Sequence, residues 1–292
     1  MSKWVIGVIG GSGLYEIDGL EHAEQESVDT PWGPPSDALV KGRIGDVELV
    51  FLPRHGKGHR LSPTTVPYRA NIDALKRLGC TDILSISACG SLQEQYAPGE
   101  FVMVDQFIDR TFAREKSYFG PGMVAHVSMA DPICSRLSGL AGDAAESVGA
   151  TVHRGGTYLT MEGPQFSSRA ESHMYRQWGC DVIGMTNMPE AKLAREAELP
   201  YATIAMVTDY DCWREGEAAV EVTNVLEVMA ANTSKAKAAV SALAQSLQEK
   251  PRTSSPQGIE TCLDYAMITA PDARDPAILS KLDAVARRIL GR

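Results

Sequence analysis

Apolar residues along this chain fall into short runs rich in β-branched side chains, separated by polar or glycine-containing stretches. The runs at residues 5–9, 47–52, 82–86, 101–104, 151–160, 181–185 and 202–207 have the length and composition of buried strands. Helical spacing lies between several of them. Residues 67–78 place Ile72, Leu75 and Leu78 on one face and stop at Gly79. Residues 132–148 and 168–178 read the same way, the second stopping at Gly179, with Ser168 and Glu171 spaced as a capping box. Residues 189–197 open on Pro189 and Glu190, a favourable helix start. An alanine-rich stretch at 220–248 predicts a long closing helix. Strands alternating with helices predict an α/β domain over residues 1–249. Residues 250–258 have the composition of a linker, and 276–290 predict a final amphipathic helix. The expected extension, 250–292, packs on the same domain or on a neighbouring subunit.

Composition narrows the function classes. The 292 residues are 44% hydrophobic and 22% charged, enough apolar material for a large core. A net charge of −9 argues against a nucleic-acid backbone as partner, which needs clustered Lys and Arg. It leaves room for a small anion held by a few local donors. The six cysteines form no Cys-x-x-Cys pair and sit mostly in apolar runs, as reduced buried thiols do. The apolar run at 5–10 is too short and too glycine-broken for a signal peptide or membrane span, so the expected location is the cytoplasm, with no membrane partner.

Candidate chemistry gathers where strands end. Gly10-Gly11-Ser12-Gly13 follows the first strand. Glycines there serve a tight turn and an anion cradle equally well. Arg54-His55 follows the second; Arg at a strand end can grip phosphate in a bidentate way or be an ordinary loop cation. The spacing His55-x-x-x-His59 matches zinc helices, but no Glu follows His55 and Gly56 and Gly58 oppose a helix, so no metal site is expected. Ser87-Ala88-Cys89-Gly90 ends a third strand in small residues, at the edge where open α/β sheets bind ligands. Phe166 can stack on a planar base or pack in the core, and Met185 can underlie a sugar or fill space. Thr186 can reach a phosphate. Asp209 and Asp211 alternate after a hydrophobic strand. They can serve a substrate nitrogen or cap backbone N–H groups in a turn.

Six segments taken in order carry a family resemblance over about two hundred residues: Gly10-Gly11-Ser12-Gly13-Leu14, Pro53-Arg54-His55-Gly56, Ser87-Ala88-Cys89-Gly90-Ser91-Leu92, Met161-Glu162-Gly163-Pro164, Met185-Thr186 with Pro189-Glu190, and Thr208-Asp209-Tyr210-Asp211-Cys212-Trp213. The chain resembles the trimeric purine nucleoside phosphorylase family and, within it, the 5′-methylthioadenosine phosphorylases. The resemblance implies one domain with a central mixed, twisted, partly barrel-like β-sheet surrounded by helices. It implies a pentosyltransferase of purine and methionine salvage that cleaves 5′-methylthioadenosine to adenine and 5-methylthioribose 1-phosphate, phosphate attacking C1′ with inversion. The alternative is a purine nucleoside phosphorylase of broader specificity, acting on adenosine or 6-oxopurine nucleosides. Phosphate is then a co-substrate and no cofactor is expected. A homotrimer with active sites at subunit interfaces is implied.

Residue roles follow from the same resemblance. Ser12, Arg54, His55, Ser87, Ala88 and Thr186 correspond to the phosphate site. Phe166 and Ile183 correspond to walls of the base pocket, with Met185 beneath the ribose. Asp209 and Asp211 correspond to the catalytic carboxylates facing N7 and the 6-amino group. His126 corresponds to a residue given to the neighbouring subunit's site near the 5′ group, and Val222, Val225 and Leu226 to the apolar pocket for the methylthio carbon. Family members often carry Thr where Ser12 and Ser87 stand, which keeps the hydroxyl and adds a methyl.

Overall fold

The computed structural model describes residues 3–11, 14, 16–214 and 222–291, leaving aside the side chains of 222–226. Eleven strands form one mixed sheet. They are β1 Val5–Gly10, β2 Glu21–Glu26, β3 Leu39–Ile44, β4 Val47–Pro53, β5 Asp82–Ser91, β6 Phe101–Met103, β7 Gln106–Arg110, β8 Val152–Arg154, β9 Thr157–Met161, β10 Val182–Gly184 and β11 Tyr201–Asp209. The helices are α1 Tyr68–Arg77, α2 Ser135–Ser147, α3 Arg169–Gln177, α4 Asn187–Glu196, α5 Val222–Leu247, α6 Pro276–Lys281 and α7 Arg287–Leu290.

The apolar runs became the middle of the sheet. β1, β4, β5 and β11 are buried along almost their whole length, which is why they read as continuous β-branched runs. β5 is central. It pairs in parallel with β1 and with β11, and antiparallel with β10 near its end. The main path runs β2-β3-β4-β1-β5-β10-β9-β7, and a second arm leaves β5 through β11 to β6 and β8. The sheet forks at β5 and does not close.

Three strands lie outside the sequence expectation. β2 is Glu-His-Ala-Glu-Gln-Glu, an exposed edge with no apolar alternation. Its charge is what protects an unpaired edge from other chains. β3 joins it to β4, and β7 forms the opposite edge. The single run expected at 151–160 is two strands. Gly155 and Gly156 have φ of 85° and 140°, and this break sends β8 to β6 but β9 to β10 and β7.

Helices fall where the periodicity placed them. Ser168 caps α3 through the expected box with Glu171. α2 packs on α5, and α1 on α4. The final helix expected at 276–290 is broken into α6 and α7, because Leu282, Val285 and Ala286 turn inward to the core. Arg77 pairs with Asp283, and Arg288 with Glu198 at 2.8 Å, fixing the break from both sides. The 250–258 stretch is also anchored. Trp4 Nε1 donates to the Lys250 carbonyl at 2.9 Å, and Arg252 Nε to the buried Asp82 at 2.6 Å. All six cysteines are free thiols. Among the described residues, no helix is long and apolar enough to cross a membrane.

Candidate active site at the carboxyl ends of the strands

A cavity of about 510 Å³ opens where β1, β4, β5, β10 and β11 end. Ten of the residues singled out in the sequence line it: Arg54, His55, Ser87, Ala88, Phe166, Ile183, Met185, Thr186, Asp209 and Asp211. Strand pairing explains the opening. β1 stays beside β5 as far as Ser85, and β10 joins it only at Gly90. Residues 86–89 therefore have no neighbour on that edge. The Ile86 carbonyl on this side accepts from Arg54 Nη1 at 3.1 Å, while the Cys89 carbonyl faces β11 and lies 3.1 Å from Thr208 Oγ1. By strand alternation Ala88 presents its backbone the same way as Ile86, toward the gap. A methyl side chain leaves that N–H accessible.

Arg54 is buried, and it is not arranged as a bidentate phosphate grip. Its Nε donates to Glu190 Oε2 at 2.8 Å and Nη2 to Glu190 Oε1 at 3.0 Å, with Nη2 also bonded to Ser85 Oγ at 2.6 Å. With the Ile86 bond, four of five N–H groups are used within the protein, leaving one Nη1 hydrogen for a ligand. Burial opposes the charge, but Glu190 outweighs it and raises the pKa above the ordinary arginine value. His55 behaves oppositely. Burial, then the charge of Arg54, lowers its pKa to about 4, so the ring is neutral. Nδ1 lies 2.9 Å from the Leu61 carbonyl, which can only accept; the proton is therefore on Nδ1 and Nε2 is an acceptor. Further along the same wall, Ser87 Oγ lies 3.0 Å from the Tyr158 hydroxyl and 3.3 Å from Thr186 Oγ1. Thr186 precedes α4 but caps no N–H of it, so its hydroxyl stays with this cluster. Ser12 lies outside the described residues; its neighbour Gly11 lines the cavity.

The rest of the cavity wall depends on close approaches. Gly163 has φ of 70°, and a Cβ there would sit 2.5 Å from Met185 Sδ. A Cβ on Gly184 would meet the Tyr158 hydroxyl at 1.8 Å. At the end of β11, Asp209 Oδ1 accepts from Asp211 N at 2.8 Å and Oδ2 from Thr208 Oγ1 at 2.7 Å. Asp209 thus does cap the turn while it lines the cavity. Asp211 has φ of 52°, and burial pushes its pKa up to about 6, with the Ser172 hydroxyl opposing and Asp209 adding to the rise. Trp213 Nε1 donates to the Ser91 carbonyl at 2.8 Å and ties the acidic turn back to β5.

His126 is exposed and does not line this chain's own cavity. The side chains of Val222, Val225 and Leu226 lie outside the described residues. Met229 and Thr233 of the same helix do line the cavity and were not singled out in the sequence. They continue the i, i+3, i+4 row begun by those three, and that spacing is the signal that would have found them. Pro63 and Met206 were also missed. Among the described residues, no group of three or more His, Cys, Asp or Glu is placed to hold a metal ion.

The comparisons with known proteins agree on one family. The model of the phosphorylase superfamily matches residues 5–245. The chain is 61% identical over 288 residues to an S-methyl-5′-thioadenosine phosphorylase of Cereibacter sphaeroides, covering 99% of both chains. It is 57% identical to one of Rhodospirillum rubrum, covering 98% of this chain and 97% of the relative. Its structure resembles that of a methylthioadenosine phosphorylase from an antarctic soil metagenomic library, with TM-score 0.90 and 45% identity over 98% of this chain and 99% of that one. It also resembles the methylthioadenosine phosphorylase of Schistosoma mansoni in complex with adenine, with TM-score 0.84 and 39% identity over 90% of this chain and 98% of that one. With a strand-end cavity that joins a hydroxyl-rich end to a pair of carboxylates, the chain belongs to the phosphorylase superfamily, among the S-methyl-5′-thioadenosine phosphorylases.

Proposed function

We propose that this protein catalyses phosphorolysis of 5′-methylthioadenosine, giving adenine and 5-methylthioribose 1-phosphate. The observation that carries this reading is the polarity of one cavity, with neutral hydroxyls, one spare Arg54 N–H and the His55 ring at one end and Asp209 with Asp211 at the other. Phosphate sits among Arg54, His55, Ser87, Thr186 and the Ala88 N–H, with Ser12 from the glycine loop. Because Glu190 balances most of the Arg54 charge, the bound anion keeps its own negative charge to stabilise an oxocarbenium-like sugar. His55 Nε2 accepts the proton of a monohydrogen phosphate, which aims an unprotonated oxygen at C1′. Attack from that face inverts C1′ in one displacement.

As the C–N bond breaks, electrons move into the purine. Asp209 meets N7 as its acid or hydrogen-bond partner. Asp211 as a carboxylate accepts from the 6-amino group and repels a 6-oxo group of like polarity. Phe166 and Ile183 wall the base, and Met185 lies beneath the ribose. Val222, Val225 and Leu226, spaced in sequence with Met229, are assigned to the methylthio group by the family resemblance. The protein works in the cytoplasm as a homotrimer, with His126 given to the next subunit's site. Val124 and Ile268, exposed and adjacent through the Ile268 N–H bond to the Val124 carbonyl, favour such an assembly. No cofactor takes part in this scheme.

The test is product analysis with and without phosphate, with methylthioadenosine, adenosine and inosine side by side. Free adenine and a sugar 1-phosphate formed only with phosphate are expected, with inosine inert. Base release without phosphate would make the protein a hydrolase. Equal use of inosine would make it a purine nucleoside phosphorylase of broad range.

A further inference from the structure

Arg114 and Glu162 form a buried pair behind the cavity wall, with side chains 0% and 8% exposed and Nε 3.1 Å from Oε1. Glu162 belongs to a motif of the resemblance, yet neither residue lines the cavity. Their partners do, or adjoin residues that do. Arg114 Nη1 donates to the carbonyls of Met185 at 2.6 Å and Met188 at 2.7 Å, and is 3.0 Å from the Tyr68 hydroxyl. Nη2 donates to the Glu162 carbonyl at 2.6 Å. The Tyr68 hydroxyl in turn donates to the carbonyl of Pro63, a cavity residue, at 2.8 Å. The Glu162 carboxylate accepts from Thr64 Oγ1 at 2.6 Å and from the N–H of Phe112 at 2.6 Å and of Ala113 at 3.2 Å. Burial opposes its charge, but these donors draw its pKa down to about 2, so the Glu162 carboxylate stays ionised at neutral pH.

Three segments of the wall share no strand ladder with one another at this depth: Pro63-Thr64, Met161–Pro164 and Met185–Met188. Arg114 and Glu162 bond to all three. The hold on the last is specific. The two carbonyls bracket Thr186, and Met188, with φ −119° and ψ 132°, leaves helical geometry so that its carbonyl meets the guanidinium. Thr186 makes no capping bond to α4, and its hydroxyl instead lies 3.3 Å from Ser87 Oγ.

We infer that Arg114, held by Glu162, is a positioning residue for phosphorolysis that aims Thr186 at phosphate and sets Met185 beneath the sugar. The inference rests on the function proposed above and adds a residue outside the substrate's reach.

The test compares the full chain with Arg114→Met, Arg114→Lys, Thr64→Val and Tyr68→Phe, varying phosphate and methylthioadenosine separately, with near-ultraviolet circular dichroism to confirm folding. In folded Arg114→Met, kcat/KM for phosphate is expected to fall about 100-fold, the scale of an ångström-level misplacement. KM for phosphate should rise more than KM for the nucleoside, and Arg114→Lys should recover part of the loss. A merely structural role would scale activity with the folded fraction and leave both KM values alone, and that result overturns the inference. If Arg114→Met does not fold, Thr64→Val and Tyr68→Phe decide. A rise in phosphate KM of about threefold or more supports positioning, and a value within about 1.5-fold of the parent overturns it. A parent chain without phosphate-dependent turnover is a different result and removes the proposed function itself.

Discussion

The two carboxylates at the end of β11 have separable fates. Asp209 spends both oxygens on its own turn, on the Asp211 N–H and the Thr208 hydroxyl, and is held rigidly at the cavity. Burial first moves the proton affinity of Asp211, to about 6 from an ordinary 3.8. A raised carboxylate pKa means the folded state favours the protonated form. Its contribution to stability is greatest below the unfolded value and is lost as pH rises through 6, at a cost of about 3 kcal/mol for two pKa units. A 6-amino group that needs the carboxylate works against this, so adenine binding near pH 6 should release a proton. For methylthioadenosine, kcat/KM is expected to fall as pH drops below about 6. In Asp211→Asn that limb should vanish from the pH profile. Asp209→Asn should keep the limb and lose about 100-fold in turnover, a general-acid magnitude. A limb that survives in Asp211→Asn would assign it to another group. Most lining residues were legible as candidates because small, hydroxyl and acidic residues stand at strand ends, while their roles came from the family resemblance. Arg114 was not, since a charged residue far along the chain from its partners looks like any loop cation until the fold surrounds it.

Among the elements, β1, β4, β5 and β11 were legible as strands because both faces are buried and every position is apolar or small. β2 carried no such signal, since an edge strand stays soluble by being charged. β8 and β9 read as one strand because the two glycines that divide them look like weak strand residues and not a change of partner. The tail helix read as continuous because its apolar spacing is helical, yet Asp283 and Arg288 are held by distant partners that break it. β10 shows how tightly an element can be tied to the site. Gly184 admits the Tyr158 ring, whose hydroxyl meets Ser87. Gly184→Ala is expected to lower stability by about 1–3 kcal/mol through overpacking, read from the urea midpoint. It should also raise the KM for phosphate as Tyr158 is displaced. An unchanged midpoint with unchanged kinetics would mean that β10 shifts freely.

At the scale of the whole molecule, residues beyond 250 are part of the core. Ile259, Leu263, Leu282 and Val285 are almost wholly buried in the main cluster. Burying each is worth roughly 1.5–3 kcal/mol, and four together rival the about 5–15 kcal/mol net stability of an ordinary domain. Removing residues 259–291 should therefore abolish the cooperative unfolding transition in a thermal melt. A truncated chain melting within a few degrees of the parent would show the tail to be dispensable. The linker-like composition of 250–258 concealed this, because Arg252 finds its partner, Asp82, only in three dimensions.

The gap beside residues 86–89 has a consequence of its own. The opening is set first by which strands pair and where they part, ahead of the side chains that line it. Mutation at the lining can then change the occupant without collapsing the room. Such a molecule is free to drift in substrate preference while its scaffold stays constant, and diversity among its relatives should gather at the cavity's rim while the strand order is kept.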